Sequence, residues 1–247
     1  MFVLDEIQTG LGRTGKLFAA QHDDLRPDVI LVAKALGGGL VSLGACICSK
    51  RAWSADFGLY HSSTFANNHL SCSVGLTVLN ELLADDGALI HEVACKGDYL
   101  RAGLDRIVTT YPEAFSRATG RGLMQGLTIA PWGGDDSYFL SHSSSTGLAV
   151  ALVCGYLLVE HGLVTAPTFN RSNVLRLEPS LTITLSEIDR ALVALEQAGR
   201  LLARRDFGRL LRYITQTPGQ LPSVGRATSP EKGHGHEHAT LACAVAV

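Results

Sequence analysis

Lys34 follows the apolar run Val29-Ile30-Leu31-Val32-Ala33 and precedes the turn Gly37-Gly38-Gly39. A lysine at that junction carries its amine off the C-terminal edge of a sheet, where open α/β sheets place their ligands. Asp5 closes the apolar run Met1-Phe2-Val3-Leu4 and stands 29 residues before Lys34. That interval holds a turn, a crossover and the next parallel strand, so it predicts a carboxylate and an amine at one sheet edge. Thr64 comes 30 residues after Lys34, within His61-Ser62-Ser63-Thr64-Phe65-Ala66-Asn67-Asn68. A Ser/Thr/Asn loop ahead of a helix suits an anion, and it equally suits a cluster of N-cap residues. Arg176, in Val174-Leu175-Arg176-Leu177, has a planar guanidinium that pairs bidentately with a carboxylate. Glu178, two residues on, offers it an ordinary ion pair instead.

Gly10-Leu11-Gly12-Arg13-Thr14-Gly15 matches G-x-G-x-x-G, and with Lys16 it matches a P-loop as far as the lysine. The context opposes both readings. Leu17 stands where the P-loop hydroxyl belongs, and the polar Gln21-His22-Asp23-Asp24 replaces the apolar helix of a dinucleotide fold.

The elements that would position these groups follow from periodicity. Short apolar runs at 1–4, 29–33 and 43–48 lack strict alternation, which predicts a parallel sheet covered on both faces. Helical spacing begins near Asn68 and pauses at Asp85-Asp86-Gly87. It resumes from Leu89 to Thr110 with an interruption at Gly97. Leu123–Ile129 and Val174–Leu177 read as strands, 132–145 as a polar loop and 145–161 as a helix. Thr184-Leu185-Ser186-Glu187 is a capping box opening a helix to about Arg204. The stretch from Thr215 is rich in Pro, Gly and Ser and reads as tail or linker. Its His234, His236 and His238 form a weak metal-binding pattern that is more simply a polar tail, so no metal is expected.

Composition bounds the function. The 247 residues are 46% hydrophobic and 18% charged, enough for a substantial core, and they exclude general disorder. With 21 basic and 23 acidic residues the net charge is −2, which offers no field for nucleic acid or an anionic membrane. The apolar run 147–159 is too short to span a bilayer. Six cysteines without a CxxC pair, and no basic leader before Asp5-Glu6, predict reduced thiols in a cytoplasmic protein.

Four segments in order resemble the class III aminotransferases, pyridoxal-phosphate (PLP) enzymes of fold type I. These are Asp5–Gly15, Pro27–Gly39 around Lys34, His61–Asn68, and Val174-Leu175-Arg176-Leu177-Glu178-Pro179-Ser180-Leu181-Thr182. The similarity covers about residues 1 to 205. It departs from the family pattern at Leu40-Val41-Ser42-Leu43 and at His69, where prolines are common.

The resemblance implies an α/β fold. Residues 1–85 would be the later part of a PLP-binding large domain, a mostly parallel sheet with helices on both faces. Residues 86–205 would form a smaller α+β domain, and 206–247 a flexible tail or linker. The implied reaction is transamination between an amine or amino acid and an oxo acid. Lys34 would hold PLP as an aldimine and shuttle the proton. Asp5 would pair with the pyridine nitrogen, and Gln8 would sit near the phenolic oxygen. Thr64 would bind the cofactor phosphate of a neighbouring subunit in a homodimer, and Arg176 would clamp a substrate carboxylate. Aminomutase, decarboxylase or racemase chemistry shares these motifs. The family's upstream phosphate loop and stacking aromatic find no match, so the chain reads as the C-terminal portion of such an enzyme, with a non-catalytic fragment or partner subunit as the alternative.

Overall fold

The computed structural model describes residues 1–60, 64–132, 137–168 and 173–215. Strands β1 (Val3–Asp5), β2 (Val29–Val32) and β3 (Ala45–Cys48) form one sheet in that order. β1 and β2 are parallel, with Val3 opposite Val29 and Asp5 opposite Leu31. β3 runs antiparallel to β2, with Val32 opposite Ala45, against the expectation of three parallel strands. The reason lies in the connection. Residues 33–44 are spent on a 3-10 turn and the glycine loop, which leaves no helix to carry the chain back across the sheet.

Asp28 fastens the start of this sheet. It is buried, and its carboxylate accepts the Phe2 amide at 2.8 Å and the Arg51 Nε at 2.8 Å. The Phe2 amide, and after it the Arg51 guanidinium, holds the carboxyl below its ordinary range. A depressed folded-state value stabilises the fold above the unfolded carboxylate value and loses that contribution as pH falls through the folded one. Acid unfolding of Asp28→Asn is therefore expected to be shallower below pH 4 than that of the unaltered chain. Superimposable acid profiles in circular dichroism would remove Asp28 from that role.

Helix α1 (Ala55–Tyr60) leads to α2 (His69–Thr110). Asn68 caps α2, its side chain accepting the Ser71 amide at 3.0 Å. α2 is broken at Ala84–Gly87, where Asp85 and Asp86 take left-handed φ of 49° and 56°. The helix passes through Gly97 without the expected interruption.

The second sheet is antiparallel, in the order β4-β5-β7-β6, from β4 (Phe115–Arg121), β5 (Met124–Ile129), β6 (Ala166–Pro167) and β7 (Val174–Leu177). The stretch expected as loop contains α3 (Tyr138–Thr146), which Ser137 caps and which ends at the left-handed Gly147. α4 (Leu148–His161) and α5 (Leu185–Ala203) pack against the rest. The capping box at α5 is present, with Thr184 accepting the Glu187 amide and Glu187 accepting the Thr184 amide.

Phe115, Leu127, Leu157, Leu175, Ile188 and Leu195 centre the larger core. Leu11, Val32, Leu36, Leu82 and Ile90 make a smaller one beneath the first sheet. Residues 206–214 are not tail: α6 (Phe207–Leu210) and α7 (Arg212–Thr215) fold back, and Leu210 is fully buried in the larger core. Residues 216–247, including the three alternating histidines, lie outside the described residues. Among the described residues no single helix is long and apolar enough to cross a membrane.

Candidate active site

Asp5 and Lys34 come off the same end of adjacent parallel strands, as their spacing requires. Asp5 is exposed, and its Oδ1 accepts the Ile7 amide at 2.9 Å, which orients the carboxylate at the strand end. Lys34 is also exposed and lines a cleft of about 520 Å³ with Ala33, Val41, Ser42, Leu43 and Gly44. Its φ is +47°, a left-handed backbone that costs a lysine about 1–2 kcal/mol. Strain of this kind in a non-glycine residue concentrates at functional positions, where it aims a side chain that regular strand geometry would not.

Gln8 and Arg176 come together elsewhere, through a residue that sequence reasoning treated only as an alternative ion-pair partner. Gln8 Nε2 donates to both oxygens of Glu178, at 2.8 and 2.9 Å. Arg176 Nε lies 3.7 Å from Glu178 Oε2. Gln8 was expected beside a cofactor oxygen; here its amide grips a carboxylate 170 residues along the chain. Arg176 is half-buried, and the ion pair anticipated as the rival to a substrate clamp is formed. These side chains line a cavity of about 700 Å³.

Thr64 is exposed in the turn ahead of α2. It is not the cap of that helix, since Asn68 fills the position. His61, Ser62 and Ser63 lie outside the described residues.

The loop that carries Gln8 is shaped by Glu6, which the sequence reading did not single out. Glu6 is buried, and its carboxylate accepts Thr9 Oγ1 at 2.5 Å, the Ala19 amide at 3.1 Å and the Ala20 amide at 2.8 Å. An acid followed three residues later by threonine was the available signal. The glycine motif cannot cradle a phosphate in this form. Gly10 N is spent on Glu6 O, Leu11 and Gly12 N on Leu17 O, Arg13 N on Gly10 O, and Gly15 N on Gly12 O. Its glycines serve packing instead: a Cβ on Gly15 would lie 2.9 Å from Ala94 Cβ of α2. Arg13 reaches across to donate to Leu123 O at 3.2 Å and Pro179 O at 2.5 Å. Burial works against the Arg13 charge, and Glu178 offsets that in part.

Chemically, the first sheet edge offers a primary amine beside a carboxylate, and the cavity offers a guanidinium beside a second carboxylate. Among the described residues no group of three or more His, Cys, Asp or Glu side chains is placed to hold a metal ion.

Comparison with known proteins identifies the surroundings of these groups. A family model described as "Aminotransferase class-III" matches residues 1–198. A putrescine aminotransferase from Pectobacterium atrosepticum is 35% identical over 194 residues, covering 78% of this chain and 38% of that protein. N-acetylornithine aminotransferase from Stenotrophomonas maltophilia superposes with a TM-score of 0.62 at 33% identity, covering 82% of this chain and 48% of the other. Ornithine aminotransferase from Plasmodium yoelii gives a TM-score of 0.67 at 27% identity, covering 82% and 48% respectively. The chain thus spans less than half the length of each of these relatives.

Proposed function

This chain belongs to the class III aminotransferases, and on that premise we propose that it carries the amine-binding half of a PLP-dependent transamination site. The amino group would pass between an amine or amino acid and an oxo acid. The observation that carries the reading is the shared strand end of Asp5 and Lys34. The residues present fit PLP: an exposed lysine strained away from strand geometry, with an oriented carboxylate on the adjoining strand. PLP bound there supplies an aldehyde that condenses with amines and a ring that withdraws electrons.

The chain's own groups do the rest. Asp5 would hold the pyridine N–H and keep the ring cationic, since a nearby negative charge favours the protonated form. Lys34 holds the cofactor through its Nζ. Once released by the substrate amine, the Lys34 Nζ would serve as the base that takes the proton from the substrate carbon and as the acid that returns one. Arg176 faces the carboxylate of whichever partner carries one. Thr64, on an exposed turn, is available to the phosphate of a neighbouring subunit's cofactor.

A homodimer is part of the proposal. Its support is the apolar surface before residue 83, where Leu40, Tyr60 and Phe65 are each at least 81% exposed. Five cysteines without disulfides among the described residues support a cytoplasmic setting. The named substrate of the Pectobacterium relative is a diamine, which favours a terminal amine as donor here.

The test is to incubate the purified chain with PLP, reduce with borohydride, and locate the fixed label by peptide mapping. Transfer from 1,4-diaminobutane to 2-oxoglutarate is assayed alongside. A label on Lys34, with transfer, is expected from a preparation of dimeric mass by light scattering. A label elsewhere overturns the Lys34 assignment, absence of both label and transfer overturns independent catalysis, and a monomeric mass overturns the dimer.

A further inference from the structure

A groove of about 910 Å³ lies between the loop after α4, the connection from β7 to α5, and α5 itself. Leu163, Leu177, Ile183 and Ala194 line it, together with Val164 and Val193, which are 81% and 53% exposed. Large apolar side chains left this open, from two different elements of one concavity, mark a docking surface. The cavity that holds Gln8 and Arg176 shares only Glu178 with it. α7 brings the chain to the same region. Arg212 Nη2 lies 3.3 Å from Glu160 Oε1, and the next residue, His161, lines the groove. Tyr213 Oη donates to Leu152 O at 2.9 Å, which fixes α7 against α4.

Downstream of α7 the sequence supplies a segment of matching character. In Leu241-Ala242-Cys243-Ala244-Val245-Ala246-Val247 a larger apolar residue alternates with alanine, and no charged side chain, proline or glycine intervenes. In an extended chain that period puts Leu241, Cys243, Val245 and Val247 on one face and the alanines on the other. An uncharged apolar segment of this length self-associates when left in water, so covering its bulky face is favourable twice over. We infer that residues 241–247 seat that face in the groove of their own chain. Residues 216–240 give ample reach, about 80 Å if fully extended, which exceeds the width of a domain of this size. The tether makes the contact intramolecular, at an effective concentration on the order of millimolar, so a weak contact is enough to fill the groove. Residues 241–247 lie beyond the family match over 1–198, and Lys34, Asp5 and Arg176 do not line the groove.

Cys243 falls on the bulky face and reports the contact directly. The full chain is treated with iodoacetamide, and the alkylation rate of Cys243 is read by peptide mapping against its rate in the urea-unfolded chain. Cys243 is expected to react at least about tenfold more slowly in the folded chain, because a seated thiol reacts only when the segment lifts away. A carboxylate on the groove wall should release it, so Val193→Asp and, separately, Val164→Asp are expected to bring Cys243 to within about twofold of its unfolded rate. Both positions are exposed, so each variant should keep the circular-dichroism spectrum of the unaltered chain. Equal rates in the folded and unfolded unaltered chain overturn the proposal. Protection that survives both substitutions overturns it too, since the segment is then covered elsewhere. A mixture of Val193→Asp with Cys243→Ser, whose groove is intact, tests a second copy as the host. Cys243 is expected to stay reactive in that mixture, and recovered protection would overturn seating within one chain.

Discussion

Lys34→Ala is expected to abolish covalent retention of PLP and to lower amino-group transfer by at least about 10⁴-fold, because in the proposed site one residue both holds the cofactor and moves the proton. Its backbone supplies a second reading. Lys34 sits at φ +47° with its side chain exposed in an open cleft. Alanine keeps the Cβ and therefore keeps the strain, whereas glycine relieves it. Lys34→Gly is expected to be as inactive as Lys34→Ala yet more stable by about 1 kcal/mol, or roughly 2–4 °C in a melt of a chain this size. A stability gain with complete loss of activity is the signature of a residue strained for its chemistry. Two variants of equal melting temperature would mean that the left-handed turn carries no strain for glycine to relieve. A borohydride-fixed label retained in Lys34→Ala would mean that another amine holds the cofactor.

The Asp5 and Lys34 pair was legible because both ends of the argument are local. Each is the polar stop of an apolar run, and the interval between them dictates a parallel crossover. The capping box at Thr184 and Glu187 was legible for the same reason, four residues being enough to define it. Glu178 was half legible. Its ion pair with Arg176 lies two residues away, but the Gln8 amide that fixes it comes from the other end of the chain. β4 escaped because a register shift between Phe115 and Arg117 breaks the alternation that would have announced it. α3 escaped because it is Ser-rich and mostly exposed, so its ends at Ser137 and Gly147 mark it better than its periodicity does. The direction of β3 depends on what residues 33–44 are used for, and a run of glycines announces a turn without saying which way the chain leaves it.

Gly97 shows where helix propensity and packing demand opposite outcomes. In an isolated helix, Gly→Ala stabilises by about 1 kcal/mol. In this fold a Cβ on Gly97 would lie 2.4 Å from Gly122 Cα and 2.6 Å from Gly122 O, both backbone atoms. Gly122 cannot retreat, because it opens the two-residue turn between β4 and β5 at φ +53° with the Arg13–Gly15 backbone behind it. The Leu123 amide to Arg13 O at 3.1 Å, and the Arg13 guanidinium to Leu123 O at 3.2 Å, close that stack from the far side. Gly97→Ala is therefore expected to destabilise by about 2–3 kcal/mol, or roughly 5–10 °C, with the sign opposite to propensity. Asp98→Ala, at the exposed neighbouring position, should stay within about 0.5 kcal/mol. The effect should also reach the site. The stack fixes the loop that carries Gln8 against the hairpin whose strand β5 pairs Gly126 with Arg176, so prying α2 away loosens both sides of the grip on Glu178. A Gly97→Ala variant that melts at or above the unaltered chain would mean that the Gly122 turn yields to the added methyl.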